Sequence, residues 1–230
     1  MSKENASGST TSEAIYNRLR YEILRGSLEG GARLTVADLR TKYGFGLTPT
    51  REALVRLAAE GLIVADPNRS VHIRDVSLEE LNDLMTARQV LEADLLPRSI
   101  AAGDEMWENK VVSTQHLLSR TSLPVNGEDP AYSLWEDRHR AFHFALVSAC
   151  GSTWLLQFWD TLVDHSERYR KLRFQASKEI ILDPKIVQDE HDRIVAAVLK
   201  RDSKEACLLM KQHLERTRFF AEKILLKIKG

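Results

Sequence analysis

The chain has 230 residues, its 33 Lys+Arg are balanced by 33 Asp+Glu, and 43% of it is apolar. That length exceeds one small module and predicts two domains. The neutral balance excludes a chain that holds nucleic acid by bulk charge, two cysteines exclude a disulfide scaffold, and no apolar run reaches membrane-spanning length.

The first segment, MSKENASGSTTSE, is polar and lacks the apolar stretch of a signal peptide, so residues 1–10 are expected to be a disordered arm. A helix comes next over Glu13–Arg25, with Ile15, Leu19, Ile23 and Tyr16 on one stripe. Residues 33–56, RLTVADLRTKYGFGLTPTREALVR, then read as two short helices joined by a tight turn. Thr35 and Asp38 form a capping box, and Gly44 suits a left-handed helix stop. The second helix starts around Gly46-Leu47-Thr48, with Pro49 in its first turn, and Ala53, Leu54 and Leu57 recur at helical spacing. Its first turn is expected to show Thr48, Thr50 and Arg51 outward, where hydroxyls suit phosphate and an arginine suits guanine. A plain helical hairpin has the same pattern, and residues 60–74 separate the two. Leu62-Ile63-Val64 reads as a short apolar strand and Val71-His72-Ile73-Arg74 alternates as a second, on either side of the turn cluster Asp66-Pro67-Asn68-Arg69-Ser70. A hairpin after a helix-turn-helix is a wing, with Arg69 at its tip. Residues 11–75 thus read as a winged helix-turn-helix DNA-binding domain; residues 1–75 carry 11 Lys+Arg against 9 Asp+Glu, so a basic face would have to be local.

The runs Thr48-Pro49-Thr50-Arg51-Glu52-Ala53-Leu54 and Leu57 … Glu60-Gly61-Leu62 resemble the N-terminal domain of GntR-type bacterial transcription regulators. Many members carry an arginine where this chain has Leu47, and Ser70 replaces the wing glycine. The resemblance implies that double-stranded DNA, as a near-palindromic operator, is a partner of a homodimer. The candidate DNA contacts are Arg33, Thr35, Thr48, Thr50, Arg51, Arg69 and His72.

Residues 76–230 read as an all-helical domain for effector binding and dimerisation. Helices are expected at 77–101, 104–121, 130–149, 152–176, 181–200 and 202–227, an antiparallel bundle. Ser77 is an N-cap followed by acidic residues, and Pro97 should kink or split the first helix. Arg88 shares the apolar stripe of Leu81, Leu84, Leu91 and Leu95, and a buried guanidinium needs an anion. Glu92, one turn on, is the plain partner; a ligand carboxylate, taken bidentately, is the other. Arg170, beside Tyr169, is a second candidate of the same kind. Cys150 and Cys207 read as core residues of a reducing, cytoplasmic compartment.

Four of the seven histidines fall on apolar faces. His139 and His143 are one turn apart, His191 sits with Val187, Ile194, Val195 and Val198, and His213 with Ala206, Leu209 and Met210. Each alone reads as a core histidine; together, four imidazoles from three helices could hold Zn²⁺, Ni²⁺ or a similar divalent transition metal. Asp137 is a further ligand candidate, though off that stripe. The pattern Phe142-His143 with Ala145-Leu146, then Glu190-His191, then His213-Leu214 resembles the FCD effector domain of the FadR-type branch, nearest its CsiR-like members. That resemblance implies a metal site and a small organic acid as effector, with His139 standing where many members carry an aspartate.

Enzyme signals are poor. Arg140 occupies the place of a zincin's general-base glutamate in His139-x-x-x-His143, and Gly44-Phe45-Gly46 lacks a βαβ setting. The expected fold is therefore mainly α, a winged helix-turn-helix plus a helical bundle. The expected function is an effector-controlled regulator, in particular a repressor, without a membrane partner. The alternatives are a metal-dependent hydrolase on the bundle and a regulator that senses the metal itself.

Overall fold

The computed structural model describes residues 4–65, 70–123, 130–175 and 183–229. It divides into two compact units, Met1–Val76 and Ser77–Gly230.

In the first unit, α1 (Glu4–Leu24) begins inside the segment expected to be an arm. No proline interrupts residues 4–13, so the helix anchored by its buried half continues back through them. The short α2 (Val36–Tyr43) and α3 (Leu47–Ala59) make the helix-turn-helix. Thr35 caps α2 as a full capping box: its hydroxyl accepts from the Asp38 N–H at 3.1 Å, and Asp38 accepts from the Thr35 N–H at 3.2 Å. Gly44 ends α2 at φ 70°, in the left-handed region that a side chain would strain. Ile15, Leu19, Ile23, Leu39, Ala53, Leu57, Leu62 and Ile73 close one apolar core. Full burial of a leucine such as Leu19 contributes about 1.5–3 kcal/mol.

The hairpin β2 (Ile63–Ala65) and β3 (Val71–Ile73) gains a third strand, β1 (Arg33–Leu34), in the antiparallel order β1-β3-β2. Two residues cannot display an alternation, so β1 is illegible in the sequence. The register pairs Ile63 with Ile73, both buried, and places His72 between Arg33 and Val64 on the opposite face.

The second unit is helical throughout its described residues: α4 (Leu78–Ala102), α5 (Glu105–Ser119), α6 (Pro130–Val147), α7 (Thr153–Gln175), α8 (Pro184–Leu199) and α9 (Ser203–Lys229). Caps set the starts. Ser77 accepts from the Glu80 N–H at 3.0 Å, Asp104 from the Trp107 N–H at 2.8 Å, and Asp183 from the Lys185 N–H at 2.9 Å. Pro97 neither splits nor ends α4, which runs unbroken past it. α4 packs against α6, α7 and α9; α5 lies against α6 and α8, and α8 against α9. The Trp107 indole ties α5 to α6 by donating to the Ala145 carbonyl at 2.7 Å. Cys150 and Cys207 are both free thiols. No helix among the described residues is long and apolar enough to cross a membrane.

Candidate DNA-binding face and histidine cluster

Helix α3 is amphipathic, and its two faces divide the expected DNA contacts. Thr50, Ala53, Leu54 and Leu57 recur at i, i+3, i+4 and i+7 and are all buried. Thr50 is therefore not an outward contact: it is fully buried, and its hydroxyl donates to the Gly46 carbonyl at 2.6 Å. Thr48 and Arg51 are exposed. Gly46, the N-cap, brings no side-chain cap, so the helix N-terminus is left open for an anion. On the sheet, Arg33 is exposed and His72 half-buried, side by side on neighbouring strands. The Thr35 hydroxyl is occupied in the capping box. Arg69 lies outside the described residues.

In the second unit, α6, α8 and α9 bring four histidines to one place. His139, His143, His191 and His213 are all buried, and one ligand atom from each lies within 4.8 Å of the others. The ring centroids are 4.4 Å apart for His139–His143, 5.0 Å for His143–His213 and 4.9 Å for His191–His213. Trp135 stacks on His139 at 4.6 Å and closes one side. Burial first, and then the neighbouring imidazoles and Arg170, hold His139 well below the ordinary histidine range. Burial and the same crowding, with Arg88 and Arg170 adding, do likewise for His143. Both rings are thus neutral, the form that ligates a metal.

Two observations test whether these residues fit a cation. Neither nitrogen of His143 has a hydrogen-bond partner, although the side chain is buried. An unsatisfied buried polar group costs about 1–3 kcal/mol, which a metal bond would offset. Second, His213 Nδ1 lies 3.1 Å from Glu190 Oε2, while Glu190 Oε1 takes Arg216 at 2.8 Å. A proton on Nδ1 donated to Glu190 leaves Nε2 as the ligating atom, the carboxylate–histidine arrangement that orients metal ligands. Donor set, crowding and the unpartnered ring all fit a divalent transition metal. Asp137 is exposed and stands outside the cluster. Glu190 is legible in the sequence only as half of a Glu-His pair; its bond to His213 comes from packing α8 on α9.

The expected effector arginines are both buried and both paired. Arg88 gives Nη2 and Nε to a single oxygen, Glu92 Oε1, at 2.5 and 3.1 Å. Arg170 does the same to Glu136 Oε1, with Nε at 2.8 Å and Nη2 closer. The second oxygens of Glu92 and Glu136 are buried without a hydrogen-bond partner. Burial lowers the Arg88 guanidinium, and Glu92 counters only part of it. For Arg170 burial also pulls down, but Glu136, with Glu167 and Tyr132 adding, turns the net shift up. Tyr169 does not join them: its hydroxyl donates to Glu80 Oε2 at 2.6 Å, beside Ser77. A cavity of about 440 Å³, with Arg120 and Lys185 in its lining, reaches the cluster at Trp135 and His191. Sequence reasoning missed it, because α5 and α8 meet only in the fold.

The sequence matches two family profiles, bacterial regulatory proteins of the gntR family over residues 11–73 and the FCD domain over residues 83–216. Among curated proteins it is 36% identical over 202 residues to the HTH-type transcriptional repressor GlaR of Escherichia coli K12, covering 86% of this chain and 90% of that one. It is 35% identical to the HTH-type transcriptional regulator BphR of Paraburkholderia xenovorans LB400, covering 88% and 82%. Among solved structures, E. coli McbR/YncC superposes with a TM-score of 0.74 over 96% of this chain and 99% of that one; at 16% identity this speaks for the fold alone.

Proposed function

The chain belongs to the GntR family of bacterial regulatory proteins and joins its winged-helix region to an FCD domain, and from that premise we propose a homodimeric repressor whose grip on DNA is set by a small carboxylate bound beside a divalent metal ion. Its relatives are transcription regulators rather than enzymes, which removes the hydrolase alternative. Repression itself is carried over from GlaR.

On the DNA side, Arg51 is exposed in the first turn of α3, where a guanidinium can take guanine O6 and N7 together. Thr48, Arg33 and His72 would meet backbone phosphates and fix register, and Arg69 is assigned the same role from its place in the sequence alone. A dimer would set two such helices about 34–36 Å apart, or a multiple, on a near-palindrome.

The observation that carries the effector half is the crowding of four buried imidazoles in the FCD unit. His139, His143, His191 and His213 would hold the ion, with Zn²⁺ or Ni²⁺ the best matches to an all-imidazole set. The bound ion would supply a divalent charge that attracts a carboxylate oxygen. Four neutral ligands cancel none of that charge, and Arg88 and Arg170 stand near enough to the cluster to act on His143 electrostatically. An acid would therefore meet a positive site, and its oxygens would compete with Glu92 and Glu136 for guanidinium donors. The 440 Å³ cavity ending at His191 is of a size for a small molecule. Regulation then requires only that the acid bind one state of the dimer more tightly than the other.

A second reading, with the metal itself as signal, is favoured by the ligand count, since four imidazoles complete a tetrahedral zinc shell. A thermal-shift screen of organic acids with and without EDTA tests both. The first reading expects stabilisation by an acid only when metal is present. Stabilisation by metal with no response to any acid would replace it with the second.

A further inference from the structure

Helix α3 carries an anomaly on its outward side. A helix face turned to water is ordinarily polar. Here Leu47, at the border of the buried stripe of Thr50, Ala53, Leu54 and Leu57, is 43% exposed, and Val55, on the far side of the helix, is 69% exposed. Leu47, Arg51 and Val55 stand at i, i+4 and i+8, so their Cβ atoms form a row with about 5–6 Å between neighbours. Single exposed aliphatics are commonplace. Two of them bracketing the arginine expected to read a base, near the start of the helix, are not scattered.

In the major groove the base edges present hydrogen-bonding groups and one apolar group, the C5 methyl of thymine. The N-terminal residues of a recognition helix are the ones that meet base edges. We propose that Leu47, seconded by Val55, is a specificity-determining residue that packs on thymine methyls flanking the guanine taken by Arg51. Base steps are about 3.4 Å apart, so the spacing of the row puts those thymines one or two steps from the guanine, on either strand. The assignment rests on the DNA-binding reading above and extends it to one chemical class of operator: a guanine bracketed by A·T pairs whose methyls are read directly.

The experiment starts by selecting duplexes from a random-sequence library with the full-length protein. Thymines flanking the protected guanine are then replaced one at a time by deoxyuridine, which removes only the methyl. Wild type should lose about fourfold in affinity per methyl read, the effect of one buried carbon. Leu47→Ala should bind the thymine duplex more weakly and be indifferent to uracil at the position Leu47 covers. Because Leu47 is exposed, this variant should keep the wild-type melting temperature. Equal affinity of wild type for thymine and uracil duplexes at every flanking position would overturn the proposal. So would undiminished uracil sensitivity in Leu47→Ala together with Val55→Ala. Failure to enrich any duplex would instead remove the DNA-binding reading, and this assignment with it.

Discussion

His143 separates a metal ligand from a core histidine more sharply than any other residue. Its two ring nitrogens are buried without hydrogen bonds, so in the metal-free protein the ring carries a penalty of about 1–3 kcal/mol. His143→Leu should therefore raise, or leave unchanged, the melting temperature of EDTA-treated protein. It should also abolish the rise that Zn²⁺ gives wild type. A histidine kept for packing would show neither response. Glu190 acts one step out. Glu190→Ala should lower metal affinity about 10- to 100-fold by freeing the His213 tautomer, and Glu190→Gln, which keeps an acceptor, should lose less; isothermal titration with Zn²⁺ reads both. The four histidines are legible in the sequence because each falls on an apolar stripe where a titratable ring is out of place. Their mutual approach is not, since it depends on how α6, α8 and α9 pack. At the DNA face, Arg51→Ala should cost about 1–3 kcal/mol for each guanine that the arginine reads and erase a sequence-specific footprint, whereas Arg33→Ala should weaken binding to all duplexes alike.

Within elements, the local signals hold where they rest on backbone chemistry. The Thr35–Asp38 capping box and the Gly44 stop define α2 as expected. A Cβ at Gly44 would meet nothing within 4 Å, so Gly44→Ala is a clean test of backbone strain at φ +70°. It should destabilise by about 1–2 kcal/mol, with Gly44→Asn milder, in urea unfolding curves of unchanged slope. Thr50 departs from expectation: polarity points it outward, yet positions 50, 53, 54 and 57 form one buried stripe. Spacing outweighs polarity because the hydroxyl satisfies itself on the Gly46 carbonyl. In α4 the sequence offers two anions for Arg88, and the structure supplies Glu92. Arg88→Met alone would then strand a buried carboxylate and cost about 3–5 kcal/mol. The pair Arg88→Met with Glu92→Leu should recover most of that stability. It is the variant in which loss of an acid response can be read apart from loss of fold.

At the scale of the whole molecule, a two-unit chain becomes a regulator only if binding in one unit changes affinity in the other. The division near residue 76, the winged fold and the helical unit are foreshadowed by periodicity, caps and turn clusters, all of which are local. The 440 Å³ cavity and the Arg170–Glu136 pair are hidden because they are made by residues far apart in the chain. The most direct measurement is operator affinity by fluorescence anisotropy, on a duplex selected by the protein itself. It is made across short dicarboxylates and hydroxy-acids, with metal-loaded and EDTA-stripped protein in parallel. At least one acid should change the dissociation constant by about 5- to 150-fold, the usual range of allosteric coupling, and only in the loaded protein. An equal change in stripped protein, or a change produced by the metal with no acid effective, would contradict the account.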